Sequence, residues 1–168
     1  ETSGRILEIN NTKGEEILKG DLLFLISQKE LKIKINENKA KLLSAKSQID
    51  EQKSKLTEYE IKLNSKKNLF EKGLSSKSKF ATAKSNFDSA KSNLDTAKSN
   101  LTLVKSELDS INNELEKTMI NAPFDGIMTS EHLEVGEFVQ PGTSLGTYVE
   151  LNPILVVCYI SEKELRNI

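Results

Sequence analysis

From Gln28 to Lys117 the chain repeats its apolar positions every seven residues. Ile35, Leu42, Ile49, Leu56, Leu63 and Phe70 mark one face of a first segment. Beyond Gly73, Phe80, Phe87, Leu94, Leu101, Leu108 and Leu115 mark a second, interleaved with Ala83, Ala90, Ala97, Val104 and Ile111. No proline interrupts the stretch, and Gly73 is its only glycine. A seven-residue period held over about five heptads predicts helices wound into a left-handed coiled coil.

The two segments predict each other as partners. In an antiparallel pair, facing residues have numbers with a constant sum. At a sum of 146, Leu63 faces Ala83, Leu56 faces Ala90, Ile49 faces Ala97, Leu42 faces Val104 and Ile35 faces Ile111. The intervening layers become Tyr59 with Phe87, Gln52 with Leu94, Ala45 with Leu101, Asn38 with Leu108 and Leu31 with Leu115. Four of the ten layers set a large residue against alanine, as suits knobs-into-holes packing. Half of 146 is 73, the position of the glycine, so register and turn agree independently.

Each arm of about 40 residues spans roughly 60 Å at the helical rise. Gly73 is expected to supply the left-handed residue that ends the first helix, with apolar Leu74 after it. Ser75 or Ser76 is expected to cap the second. Asn38 and Gln52 lie in core layers, where a polar side chain costs stability and fixes register. The remaining layer residues are coiled-coil core and imply no chemistry.

The sequence on either side of this hairpin is of another kind. Gly4, Gly14, Glu15, Ile17, Gly20 and Leu23 recur 122 residues later as Gly126, Gly136, Glu137, Val139, Gly142 and Leu145. Residues 3–9 and 22–26 read as short strands, with turns at Lys13-Gly14 and Lys19-Gly20. The second copy reads as a strand from Gly126, turns at Val135-Gly136 and Pro141-Gly142, and a strand from Leu145 to Val149. Pro-Gly predicts positive φ at Gly142. Gly14, Gly20, Gly126, Gly136 and Gly142 are all expected at turns. Neither half of about 25 residues could bury a core alone. The expected fold is α+β: an antiparallel two-helix coiled-coil hairpin inserted into a split β-sandwich with pseudo-twofold symmetry. The domains are 1–27 (first β half), 28–117 (hairpin), 118–150 (second β half) and 151–168, where a further element begins.

Composition supports this division. At 36% hydrophobic and 5% aromatic, the 168 residues do not supply one large core. Net charge is -1 but uneven: residues 28–117 hold 19 Lys against 13 Asp and Glu, the rest 5 Lys and Arg against 12 acids. The hairpin lysines are interspersed with acids and serines, which reads as a solvated surface, and no nucleic-acid partner is expected. Between Lys62 and Lys79 there are six lysines and one acid, Glu71, so the tip is basic and suits an acidic partner surface. The longest apolar run, Ile154 to Ile160, is too short to span a bilayer. Targeting and anchoring segments are expected to lie outside this sequence.

Candidate catalytic chemistry is thin. His132 is the only histidine and Cys158 the only cysteine; the first reads as a loop residue and the second as part of a buried strand. Asp125, before a glycine, reads as a turn or backbone-bonding residue. No nucleophile–base pair, metal spacing or phosphate loop occurs. No enzyme activity, cofactor or metal is expected.

The β halves resemble a biotinyl/lipoyl-like domain, and a coiled-coil hairpin inserted there resembles the periplasmic adaptors of bacterial tripartite efflux pumps, the membrane fusion proteins. Thr118-Met-Ile-Asn-Ala-Pro-Phe-Asp-Gly126 is similar to the family's re-entry into the lipoyl-like domain, supported by Val135 to Leu145 and by Ser3-Gly-Arg-Ile6. Asn152-Pro-Ile-Leu-Val-Val157 and Ser161-Glu-Lys-Glu-Leu165 resemble the start of the family's β-barrel domain. The resemblance implies an adaptor bridging an inner-membrane transporter to a TolC-like outer-membrane channel. It further implies a homo-oligomer, commonly a hexameric ring, and a periplasmic location with an inner-membrane anchor. The transporter class it implies is RND ahead of ABC, with a type I secretion system as a further alternative.

At the tip, channel-contacting adaptors carry Arg, Leu and Ser at fixed spacing. Leu69 and Ser76 keep that spacing, and Phe80 and Ala83 fit the apolar and alanine positions after them. The arginine position holds Ser65, with Lys66 and Lys67 beside it; lysine lacks the planar fork of arginine. The resemblance thus makes Lys66, Lys67, Leu69, Gly73, Ser76 and Phe80 the channel-contact residues. The competing reading is a structural coiled coil with a small β docking module. A lipoyl-type carrier is disfavoured, because the insertion replaces the turn that would present the modified lysine.

Overall fold

A computed structural model describes residues 2–10, 13–131 and 133–150. The expectations for His132, Cys158 and residues 151–168 lie outside the described residues. Gln28–Glu116 forms one compact unit, and the described residues on either side of it form the other.

In the helical unit, α1 runs Lys29–Glu71 and α2 Lys77–Glu116. Every core position of the 146 register from Leu31 to Leu63 is buried or half-buried, and so is its counterpart from Ala83 to Leu115. One buried cluster joins Ile49, Leu94 and Ala97, with Leu56 and Leu101 against it. All eight of the leucines, isoleucine and phenylalanine expected to form the core (Leu42, Ile49, Leu56, Leu63, Phe87, Leu94, Leu101 and Leu108) face inward. Phe70 departs from the pattern: it is 38% exposed, because Lys66, one layer back, is kept in solvent and Leu69 turns inward instead. A lysine does not enter an apolar layer unpaired, so the seam shifts by one residue beside the tip.

In the β unit, the strands are β1 (Gly4–Ile9), β2 (Glu16–Ile17), β3 (Leu22–Ile26), β4 (Met119–Asn121), β5 (Gly126–Glu131), β6 (Phe138–Val139) and β7 (Gly146–Glu150). They form two sheets, ordered β4-β3-β1-β6 and β2-β5-β7. The 122-residue repeat is visible in the ladders. Ile6 pairs with Ile26 as Met128 pairs with Tyr148, and both ladders shift register at the next residue. Gly4 pairs with Val139 as Gly126 pairs with Ile17. The short strand of each half therefore joins the sheet of the other half, which is why neither half closes alone. The turns repeat too: Gly136 N–H donates to the Ile6 carbonyl at 2.8 Å, and Gly14 N–H to that of Met128 at 2.9 Å.

Two apolar clusters fill the space between the sheets. One holds Ile17, Leu23, Phe24, Ala122 and Met128; the other holds Ile6, Ile26 and Val139. Ile9, Ile120 and Leu145 touch both clusters. Residues from both halves build each cluster, and burying one such aliphatic side chain contributes about 1.5–3 kcal/mol.

Gly14, Gly20, Gly136 and Gly142 have φ between 87° and 95°. Gly126 differs from its expected turn position: it opens β5. A Cβ there would lie 2.2 Å from the Val149 carbonyl oxygen, so close strand approach, rather than a turn, requires glycine. Around it the halves are tied by polar contacts. Asp125 accepts from the Lys19 backbone N–H at 2.7 Å, a backbone-bonding role rather than a catalytic one. Tyr148 Oη donates to the Phe124 carbonyl at 2.7 Å and lies 3.2 Å from that of Ile17, while its ring stacks on Phe124 at 4.9 Å.

Candidate functional site: the hairpin tip

The tip is built by backbone hydrogen bonds that end one helix and start the next. Leu74 N–H reaches back to the Leu69 carbonyl at 2.8 Å, and Gly73 N–H to that of Phe70 at 2.9 Å. This 6→1 and 5→2 pair, with Gly73 at φ 71°, is a Schellman motif. It satisfies carbonyls that α1 would otherwise leave open. Of the two candidate serines, Ser76 caps α2, its Oγ accepting a long bond of 3.4 Å from Lys79 N–H. Ser75 Oγ is instead buried against the turn.

The motif sets what the tip shows. Phe70 and Phe80 stack across the two helices at 5.5 Å, nearly parallel at 7°, and form a platform. Leu69 and Phe80 are half-buried, while Ser76, Lys66, Lys67 and Gly73 are exposed. Leu74 is the most open large apolar residue among those described, at 73%. Reading the sequence assigned Leu74 only to the cap; its exposure adds an apolar side chain to the surface of the tip. Phe70 was likewise assigned to the core, although its i, i+10 spacing to Phe80 across the turn was visible.

Just behind the tip a groove of about 490 Å³ is lined by Tyr59, Lys62, Lys66, Lys79, Thr82 and Asn86, among others. Its charged lining is wholly lysine. Lys62 is bonded to Glu58, outside the groove, and lies 5.2 Å from the Tyr59 ring centroid. The Glu58 hydrogen bond and then its charge raise the Lys62 pKa above the ordinary lysine value. Chemically the tip offers hydroxyl, apolar and cationic contacts and no reactive pair. Among the described residues, no three His, Cys, Asp or Glu side chains are grouped to hold a metal ion. No helix of the described residues is long and apolar enough to cross a membrane.

Residues 1–148 match the family described as CzcB-like, barrel-sandwich hybrid domain. The chain belongs to that family. Its two-helix hairpin and curled antiparallel sheets are those of a membrane fusion protein. MacA from Actinobacillus actinomycetemcomitans superposes with a TM-score of 0.77 at 26% identity, over 90% of this chain and 47% of MacA. A putative efflux transporter from Bacteroides eggerthii DSM 20697 gives 0.51 at 20% identity, over 90% of this chain and 38% of that one. The soluble domain of LipC, a membrane fusion protein of a type I secretion system, gives 0.55 at 15% identity, over 86% and 95%. The last two show a shared fold alone. This membrane fusion protein chain spans about half the length of the MacA structure it matches. No curated protein sequence matches it.

Proposed function

We propose that this membrane fusion protein is the periplasmic adaptor of a multidrug efflux pump, bridging an inner-membrane transporter to a TolC-like outer-membrane channel through its hairpin tip. The observation that carries the reading is the tip itself. A Schellman turn displays Leu74 and the Phe70–Phe80 platform beside Ser76, with a lysine-lined groove behind them. Such a surface fits the groove between two helices of a partner with an acidic rim, with association that weakens in salt. Lysines meet such a rim as point charges, so the departure at Ser65 removes bidentate geometry but keeps the attraction. The transporter is read as RND type, with ABC and type I secretion partners as alternatives. The energy for transport comes from that partner, while this chain contributes assembly, oligomerising as a ring of six, and is held at the inner membrane.

In-cell cross-linking tests this. With Ser76→Cys in a full-length Cys158→Ala background, the expected adduct is an outer-membrane channel identified by mass spectrometry. Self-adducts alone, with the protein expressed and in the envelope, would favour the structural coiled-coil reading. Gly73→Val should distort the tip and reduce efflux while leaving the β unit folded.

A further inference from the structure

The hairpin lysines are interspersed along the sequence, but the fold sorts them by edge. With core residues paired at a sum of 146, the positions flanking the core face each other at 148 along one edge and at 144 along the other. On the first edge Lys34 faces Glu114, Lys41 faces Glu107, Gln48 faces Asn100, Lys55 faces Asn93 and Lys62 faces Asn86. No like charges meet there, and Lys41 reaches Glu107 at 3.3 Å. On the second edge Lys39 faces Lys105, Lys46 faces Lys98, Lys53 faces Lys91 and Lys67 faces Lys77; only Lys84 meets an acid, Glu60. All nine lysines are exposed. Flanking positions of a coiled coil ordinarily pair opposite charges, and like charges there cost stability. Four like-charge pairs on one edge, in a hairpin whose other edge avoids them, call for an anion from outside.

We propose that this edge binds an extended acidic polysaccharide, laid along the shaft of the hairpin between the two lysine rows. Each row runs about 40 Å, with a lysine about every 10 Å except where Glu60 stands. Ammonium groups act as point charges that take a carboxylate or phosphate without fixed geometry, which suits a flexible chain. Asp50, Asp88, Asp95 and Asp109 lie one step outward from the rows, so with Glu60 the nine lysines stand against five acids. Two of these acids hold Lys53 and Lys98, at 3.7 and 3.3 Å, in exposed pairs that a polyanion can exchange.

The composition of the edge selects this occupant. A folded protein or a membrane surface would need apolar residues, and Leu43 is the one large apolar side chain in the positions bordering the rows. A nucleic-acid single strand would need aromatic side chains on which its bases stack, and duplex readout favours arginine forks. The edge has neither. Asn36 and Asn64, exposed beside the α1 row, instead offer neutral amides to sugar hydroxyls. This binding goes beyond the adaptor reading: it belongs to the shaft rather than the tip, and it needs neither a channel nor a transporter.

Fluorescence anisotropy of a labelled oligogalacturonate, long enough to follow one row, tests this with the full-length protein. Binding is expected at low salt and should weaken steadily as salt rises. The oligomer should also raise the melting temperature of the hairpin. Lys46→Gln, Lys53→Gln, Lys91→Gln and Lys98→Gln together should weaken binding at least tenfold. Helicity should not fall in that variant, because it relieves two like-charge pairs. Lys34→Gln, Lys41→Gln, Lys55→Gln and Lys62→Gln remove the same charge from the other edge and should cost less than threefold. Equal losses in the two variants would reduce the binding to net charge and overturn the assignment to this edge. Undiminished affinity in the first variant, no binding at all, or tighter binding of a single-stranded oligonucleotide of equal charge would overturn it too. Loss of the Ser76 channel adduct with oligogalacturonate binding intact would remove the channel reading and leave this one standing.

Discussion

The helical hairpin and the β unit are both built from repeats, but they use repetition in opposite ways. In the hairpin each layer resembles the next, and a residue depends mainly on the layers above and below it. In the β unit there are only two copies, and each lends its short strand to the other's sheet: Phe138–Val139 pairs with Gly4–Arg5, and Glu16–Ile17 with Gly126–Ile127. A defect in the hairpin should therefore stay local, whereas a defect in the β unit should remove the whole unit. Gly126→Ala is the strongest test. Its Cβ would sit 2.2 Å from a backbone oxygen that no rotamer change can move. We expect the β unit to lose its fold while helical signal at 222 nm persists. Native shifts for Tyr148 and an unchanged melting curve would sink the idea.

Phe87→Asp makes the corresponding test of the hairpin. Phe87 lies half-buried in the layer that contains Tyr59, and a carboxylate there should cost about 3–5 kcal/mol. Amide exchange should speed up between that layer and the tip, while the layers of Ile35 and Ile111 stay protected. Uniform loss along both helices would show that the hairpin melts as one unit; undiminished helicity would contradict the layer assignment.

A smaller effect of opposite sign is expected at Asn38. Its side chain is 1% exposed, and neither amide atom has a hydrogen-bond partner. Asn38→Leu should stabilise the hairpin by about 1–3 kcal/mol, the cost of an unsatisfied buried polar group. A fall in melting temperature would show that the cavity cannot take the branched side chain.

The contrast between the units also explains what could be read from the chain. Coiled-coil register is local arithmetic: once Ile49 and Ala97 share a layer, every other layer follows, and Gly73 fixes the turn. The shift from Phe70 to Leu69 was missed because a period does not say which layer will refuse a lysine. The repeat at 122 residues revealed two halves but not their exchange of strands, since Glu16–Ile17 carries too few residues to show its partner. Gly126 looked like a turn glycine beside Asp125, and only the nearness of Val149 shows otherwise. At the tip, Gly73 and Ser76 were legible because capping chemistry is local, whereas Leu69 was singled out by resemblance alone. The Phe70–Phe80 platform required the geometry of the turn.

Tyr148 gives the subtlest prediction, and the one that best separates the units. Burial, and then the charges of Asp125 and Asp21, raise its pKa above the ordinary value of 10.0. The folded β unit thus favours the neutral phenol, while the unfolded chain ionises at the ordinary value. This contribution to stability is complete below about pH 10 and is lost as pH rises towards the folded pKa. Melting of the β unit should therefore decline in strong alkali more steeply than in Tyr148→Phe. That variant should lose about 0.5–1.5 kcal/mol at neutral pH with its hydrogen bond to Phe124, yet show a flatter alkaline slope. Lysine titration is common to both proteins and cancels in the difference. Parallel slopes would mean that the phenol is hydrated in the folded state and that its ionisation is not coupled to the folding of the β unit.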